Sequence, residues 1–219
     1  MSGGGCEILT RTWSEELGAK KAARGWARGL VLAAAAAVSL HAGAAAAEGS
    51  GDDWRGSFLS SAGADAPEVR IGGFAHSVAG AEYGSADVNF ELQGPRLPFP
   101  VPDRFKVLVP LPDIGAMINT AGKTSYAYLG VVWRLNLLPR TFIEPAFGGA
   151  IHNGNASSIP QPGQVTLGCR TLFHTGISGG YRLSDRWTVL GTWDHISNAD
   201  TCFHNIGMNG YGVKLGYSF

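Results

Sequence analysis

The segment Asp194-His195-Ile196-Ser197-Asn198-Ala199 holds the residues whose types and spacing most directly suggest chemistry. His195 and Ser197 are two positions apart, so on a β-strand they project from one face, with Cα atoms about 6.6 Å apart. A neutral imidazole near a hydroxyl can take its proton and turn a poor nucleophile into a good one. The spacing alone does not make a catalytic pair, because such sites are defined by geometry and not by sequence position. The face they occupy adds information. Val189, Gly191, Trp193, His195 and Ser197 share one parity, opposite Thr188, Leu190, Thr192, Asp194 and Ile196. Val189 and Trp193 look like lipid-facing residues. Polar groups on the lipid side of a barrel are costly at mid-membrane and tolerated near the interface. A site acting on a lipid accounts for both polar residues there.

Other chemistries find little support. The six histidines are scattered and no metal-ligand spacing occurs, so neither a metal nor another cofactor is expected. Lys and Arg total 17, as do Asp and Glu, which leaves no basic field for nucleic acid. Of three cysteines, Cys6 lies in the N-terminal leader. Cys169 and Cys202 fall near one rim of the fold described next, where a disulfide or two buried thiols would both fit.

The elements that must position the pair are strands. The chain of 219 residues is 45% hydrophobic and 16% charged with 32 glycines, long enough for one domain and suited to a barrel with one apolar and one polar face. Alternation predicts strands near 68–79, 87–97, 105–119, 125–137, 142–153, 170–182, 187–197 and 210–219. Pro98, Pro100 and Pro102 mark the connection between the second and third. The last strand alternates most cleanly, with Tyr211, Val213, Leu215, Tyr217 and Phe219 against Gly212, Lys214, Gly216 and Ser218. Its aromatic end resembles the C-terminal signature of bacterial outer-membrane barrels. The predicted fold class is an all-β, eight-stranded antiparallel transmembrane outer-membrane β-barrel.

Ahead of it, residues 1–47 read as a secretory signal, with a basic region (Lys20, Lys21, Arg24, Arg28), an alanine-rich run and Ala45-Ala46-Ala47 before Glu48. Removing its five basic and three acidic residues from the 17 of each leaves 12 basic against 14 acidic. A lead-in at 48–66 and a barrel at 67–219 complete the expected organisation.

Parity also predicts the interior. A tight turn centred on Pro139 sets Arg134 across from Glu144, both pointing inward, where an ion pair avoids lipid. His174, Asp194 and Lys214 fall on the same inner face. These groups are read as structural filling, since eight strands leave room for side chains and no pore. With both termini periplasmic, long loops near 80–86, 154–169 and 198–209 fall outside the cell, and the seventh strand ends at the outer surface.

The run from His195 to Ala199, the loop with Asn205 and Gly207, and the terminal strand together resemble the lipid A 3-O-deacylase (PagL) family, whose relatives are called acyloxyacyl hydrolases. Gly168-Cys169-Arg170, Gly180-Tyr181-Arg182-Leu183, Asp185-Arg186-Trp187, Ile118-Asn119-Thr120 and the stretch from Glu144-Pro145 to His152-Asn153-Gly154 resemble it too. The resemblance is specific from about residue 115 to 219. It implies a bacterial outer-membrane ester hydrolase that removes the 3-O-linked acyl chain of lipid A in lipopolysaccharide, without a metal cofactor.

Carried over residue by residue, Ser197 is the nucleophile, His195 its general base, and Asn198 helps hold the oxyanion. The glutamate that orients the histidine in the family pattern falls on Asn209. An amide oxygen can orient an imidazole, as in Cys-His-Asn sites, but cannot stabilise the imidazolium as a carboxylate would, so weaker activity is expected. Asp200 is a candidate substitute from the loop. Two other readings remain open: a catalytically lapsed structural or lipopolysaccharide-binding barrel, and a phospholipase or acyltransferase on the same scaffold. Whether the barrel forms a homodimer is left open by the sequence.

Overall fold

A computed structural model describes residues 66–219. The expected signal segment, and all but the last residue of the expected lead-in, lie outside the described residues. The strands are β1 (Glu68–Ala75), β2 (Ala86–Gln93), β3 (Leu111–Asn119), β4 (Tyr126–Val132), β5 (Leu135–Asn136), β6 (Thr141–His152), β7 (Thr171–Arg182), β8 (Trp187–Ser197) and β9 (Met208–Ser218). Each pairs antiparallel with its neighbours in the order β4-β3-β2-β1-β9-β8-β7-β6, and β4 pairs with β6 to close the ring. β5 continues β4 along β6 in the same register. The nine pieces are therefore eight staves of one closed antiparallel barrel.

Three departures from the expected strands have local causes. The third strand, expected from 105, begins at Leu111, and Asp103–Leu108 forms a 3-10 turn instead. Pro102, Pro110 and Pro112 fix φ and withhold N–H donors there. The fourth stave is interrupted between Val132 and Leu135 because its partner across the break is Pro145. Trp133 N–H donates to Pro145 O at 3.0 Å, but Pro145 has no N–H to return the bond. The first strand stops at Ala75, short of 79, since the chain turns at Ser77 (φ 45°) and Ala79 (φ 68°).

The barrel is apolar outside and polar inside, the inverse of a soluble protein. Val69, Ile71, Phe90, Leu92, Ile114, Ile118, Leu129, Phe147, Ile151, Phe173, Ile177 and Leu215 are each exposed on the outer surface. This belt of apolar side chains is what a bilayer requires of a spanning barrel. Trp187 and Tyr217 stack edge to face at 5.0 Å near the end that carries the termini, where amphipathic rings sit at head-group level.

Inside, charged groups satisfy one another. Arg134 bonds Glu144 as expected, and also Glu68 and Gln93. Arg70 binds Glu68, Glu91 and Glu144, and so joins three staves. Lys214 reaches Glu91, and His174 meets Asp194 at 3.2 Å. Arg70, Glu68 and Glu91 were not singled out in the sequence, although the Glu68-Val69-Arg70-Ile71 alternation carries the signal of the first two. Above this ionic layer the rim opposite the termini is plugged. Val165 and Leu167, from the β6–β7 connection, pack inside against Phe74, Met117, Tyr126, Leu172, Ile196 and Met208.

The connections opposite the termini run over 76–85, 120–125, 153–170 and 198–207. At the terminal end two are short (137–140 and 183–186). The third, 94–110, is long and departs from the rule that such turns are short.

Candidate functional site

The paired strands β8 and β9 put the site together. In their register His195 stands directly opposite Asn209. The imidazole Nδ1 and the Asn209 Oδ1 lie 3.0 Å apart, and the indole Nε1 of Trp193 donates to the same oxygen at 3.0 Å. The Trp193 and His195 rings stack at 5.8 Å and 22°. Trp193, His195 and Ser197 all lie on the outward parity of β8, half-buried at the loop rim, while Asp194 points inward to His174. Asp194 is thereby excluded from the site. Asp200 is exposed on the loop, and the ring nitrogen it was a candidate to hold is bonded to Asn209.

Ser197 ends β8 opposite Phe173 of β7. Phe173 stacks on Phe147 with ring centroids 6.2 Å apart, an exposed apolar wall beside the hydroxyl. Among the described residues no hydrogen bond joins His195 to Ser197. Such contacts often tighten only when substrate is bound.

Asn198 is 1% exposed and organises the loop that follows. Its Nδ2 donates to Leu167 O at 2.9 Å and to His204 O at 3.3 Å. Its Oδ1 accepts from Asp200 N–H, and its own N–H donates to Asn205 Oδ1 at 3.0 Å. Both kinds of donor on Asn198 are thus engaged, so holding an oxyanion would require one of these bonds to be released. The same web crosses to the β6–β7 connection, whose Cys169 forms a disulfide with Cys202 of the 198–207 loop, with Cα atoms 6.0 Å apart. Gly168, at φ 74°, leaves no room for a Cβ beside the Phe203 and His204 carbonyls.

On the loop after the histidine, Gly207 is pressed against it. A Cβ there would meet His195 Cε1 at 2.5 Å and Nε2 at 3.0 Å. The sequence motif contained Gly207 but gave no role to it, because the close approach exists only once β9 folds back on β8.

A second polar cluster at this rim is structural. His76 lies buried between Asp87 (2.8 Å) and Glu82 (3.0 Å). Glu82 also accepts the Thr124 and Val165 N–H groups and the Thr124 hydroxyl, so it ties three connections together. Burial opposes its charge, but the His76 bond and these donors outweigh that and hold its pKa at about 2. Burial likewise works against the His76 cation, yet the bonds to Asp87 and Glu82 leave its pKa raised. Among the described residues no group of His, Cys, Asp and Glu is arranged to hold a metal.

The family described as Lipid A 3-O-deacylase (PagL) matches this chain over residues 116–218. Among solved structures, the crystal structure of the outer membrane enzyme PagL aligns with a TM-score of 0.54 at 16% identity, covering 69% of this chain and 99% of that one. A de novo designed transmembrane β-barrel aligns at 0.47 and 11% identity, covering 71% of this chain and 96% of the design. The N-terminal β-barrel domain of Pseudomonas aeruginosa OprF aligns at 0.45 and 12%, covering 70% and 98%. No curated protein matches the chain.

Proposed function

We propose that this chain, which matches the lipid A 3-O-deacylase (PagL) family over residues 116–218, is an outer-membrane esterase that hydrolyses the 3-O-linked acyl chain of lipid A. The observation that carries this reading is the His195–Asn209 bond at 3.0 Å on the lipid-facing side of the rim, with Ser197 two residues along the same face.

Asn209 accepts the Nδ1 proton, which leaves Nε2 as the lone pair that takes the Ser197 proton. The Ser197 oxygen attacks the ester carbonyl, the 3-hydroxyl of the sugar leaves with the proton from His195, and an acyl-serine forms. Water, deprotonated in turn by His195, releases the fatty acid and restores the serine. The apolar wall of Phe173 and Phe147 suits the acyl chain, and a site at the end of a stave suits an ester near the head groups. Asn198 follows the serine directly and braces the 198–207 loop, and it would serve the developing oxyanion only on releasing one of its bonds to Asn205, Leu167 or His204.

The test is lipid A in detergent with the folded protein, followed by mass spectrometry. Loss of one 3-hydroxyacyl group, absent in Ser197→Ala, supports the reading, and unchanged release in that variant refutes it. Asn209 in place of the family's glutamate favours a second reading, a lapsed barrel that binds or braces lipopolysaccharide. That reading predicts no release by the native chain and release by Asn209→Glu.

A further inference from the structure

Asparagine is a weaker tutor for a histidine than glutamate, because its amide can turn either oxygen or nitrogen toward the ring. A carboxylate offers an acceptor both ways. If the Asn209 nitrogen faced His195, Nδ1 would have to accept, the proton would sit on Nε2, and the imidazole could not act as a base toward Ser197. Something must therefore choose the amide orientation, and neither His195 nor Asn209 can do so, since each offers both a donor and an acceptor form.

Trp193 can. An indole N–H only donates, and it lies 3.0 Å from the Asn209 atom that also faces His195 Nδ1. Only oxygen satisfies the indole. With that oxygen fixed, the group on its other side, His195 Nδ1, must carry the hydrogen, and Nε2 is left unprotonated. The indole also stacks on the imidazole at 5.8 Å and 22°, which restrains the ring plane that this bond requires.

We infer that Trp193 is a positioning residue: by fixing the amide of Asn209 it sets the Nδ1–H tautomer of His195. Its consequence for catalysis rests on the function proposed above, whereas its consequence for the tautomer does not. A tryptophan at this height would otherwise serve only as an interfacial anchor, a role that needs the ring and not its N–H placed on Asn209.

Trp193→Phe separates the two, since it keeps an aromatic ring against His195 and deletes the donor. Nitrogen-15 NMR of the labelled protein in micelles reads the His195 ring nitrogens directly. The expected result is a single Nδ1–H form in the native chain and a mixture of both neutral tautomers in Trp193→Phe. A single Nδ1–H form in both would overturn the inference, whether or not the protein deacylates lipid A.

Where activity is present, Trp193→Phe should lower kcat about threefold to tenfold, the scale of one hydrogen bond, with KM little changed. In an Asn209→Glu background, where either carboxylate oxygen accepts, the same substitution should have almost no effect. Equal losses in the two backgrounds would mark Trp193 as packing alone. A native chain with no activity but with the tautomer shift would instead reject the esterase and leave the positioning intact.

Discussion

Replacing Gly207 by Ala should disable the site while sparing the barrel. The new methyl would lie 2.5 Å from His195 Cε1, 3.0 Å from Nε2 and 3.2 Å from Ile196 O. Carbon atoms settle at about 3.5–4.0 Å, so the imidazole edge must retreat by roughly 1 Å. It has little freedom to do so: Nδ1 is bonded to Asn209 at 3.0 Å and the ring face rests on Trp193. The Ile196 carbonyl is backbone of β8 and is held in the ladder. Movement would therefore break the Asn209 bond or swing Nε2 away from Ser197, and a misplacement of about 1 Å costs on the order of 100-fold in rate. That is about 2.7 kcal/mol of transition-state stabilisation. The assay is the rate of 3-hydroxy fatty acid release from lipid A in micelles, with thermal unfolding of the same preparation as a control. Release at near the native rate, with an unchanged melting temperature, would refute the reasoning about the ring edge.

Two further outcomes are expected at the same rim. Replacing both Cys169 and Cys202 by Ser opens a link between residues 33 apart, which chain entropy values at about 3–4 kcal/mol. Faster proteolysis of the 153–170 and 198–207 connections and a lower melting temperature are expected, and protection equal to the native chain would show that the Asn198 web holds the loops unaided. The His76–Glu82 clasp should be strongest between about pH 4.5 and 6.5, above the unfolded value of Glu82 and below that of His76. Its raised His76 contribution is lost as pH rises through the folded pKa, and its lowered Glu82 contribution is lost as pH falls from 4.5 toward about 2. Proteolytic protection of the 76–85 connection followed against pH measures this, and Glu82→Gln should flatten the acid side; an unaltered acid limb in that variant would show the clasp to be irrelevant.

Alternation was a good guide wherever a stave had one lipid face and one interior face. The seventh expected strand, 187–197, coincides with β8, and the outward parity of His195 and Ser197 followed from it. The inward pairing of Arg134 with Glu144 was legible because a short turn fixes register. What was hidden depended on contacts between distant segments. No local pattern announces that Arg70 would bridge Glu91 and Glu144, or that Val165 and Leu167 would fold back into the mouth as a plug. Between 94 and 110 the prolines signalled a connection, but the apolar residues Val107, Leu108 and Val109 imitated a strand. The candidate site was legible in its residues and not in their bonds. Trp193 read as a lipid-facing residue, and only the β8–β9 register brings its N–H onto Asn209.

That register connects the interior to the site. His195 and Asn209 face each other because β8 and β9 pair with Leu190 opposite Lys214. A slip of one residue would send the inward set to the lipid, and a slip of two would carry Asn209 about 6.6 Å from the imidazole. Either slip would also pull Lys214 from Glu91, or expose it to hydrocarbon, and would disturb the approach of Lys214 to Asp194 at 4.0 Å. A charge stranded in lipid is far more costly than one lost surface contact. The ionic lattice thus acts as the gauge of the sheet. Its residues touch neither His195 nor Ser197, yet by forbidding every other alignment of β9 on β8 they determine that an imidazole, an amide and an indole N–H meet at one rim position.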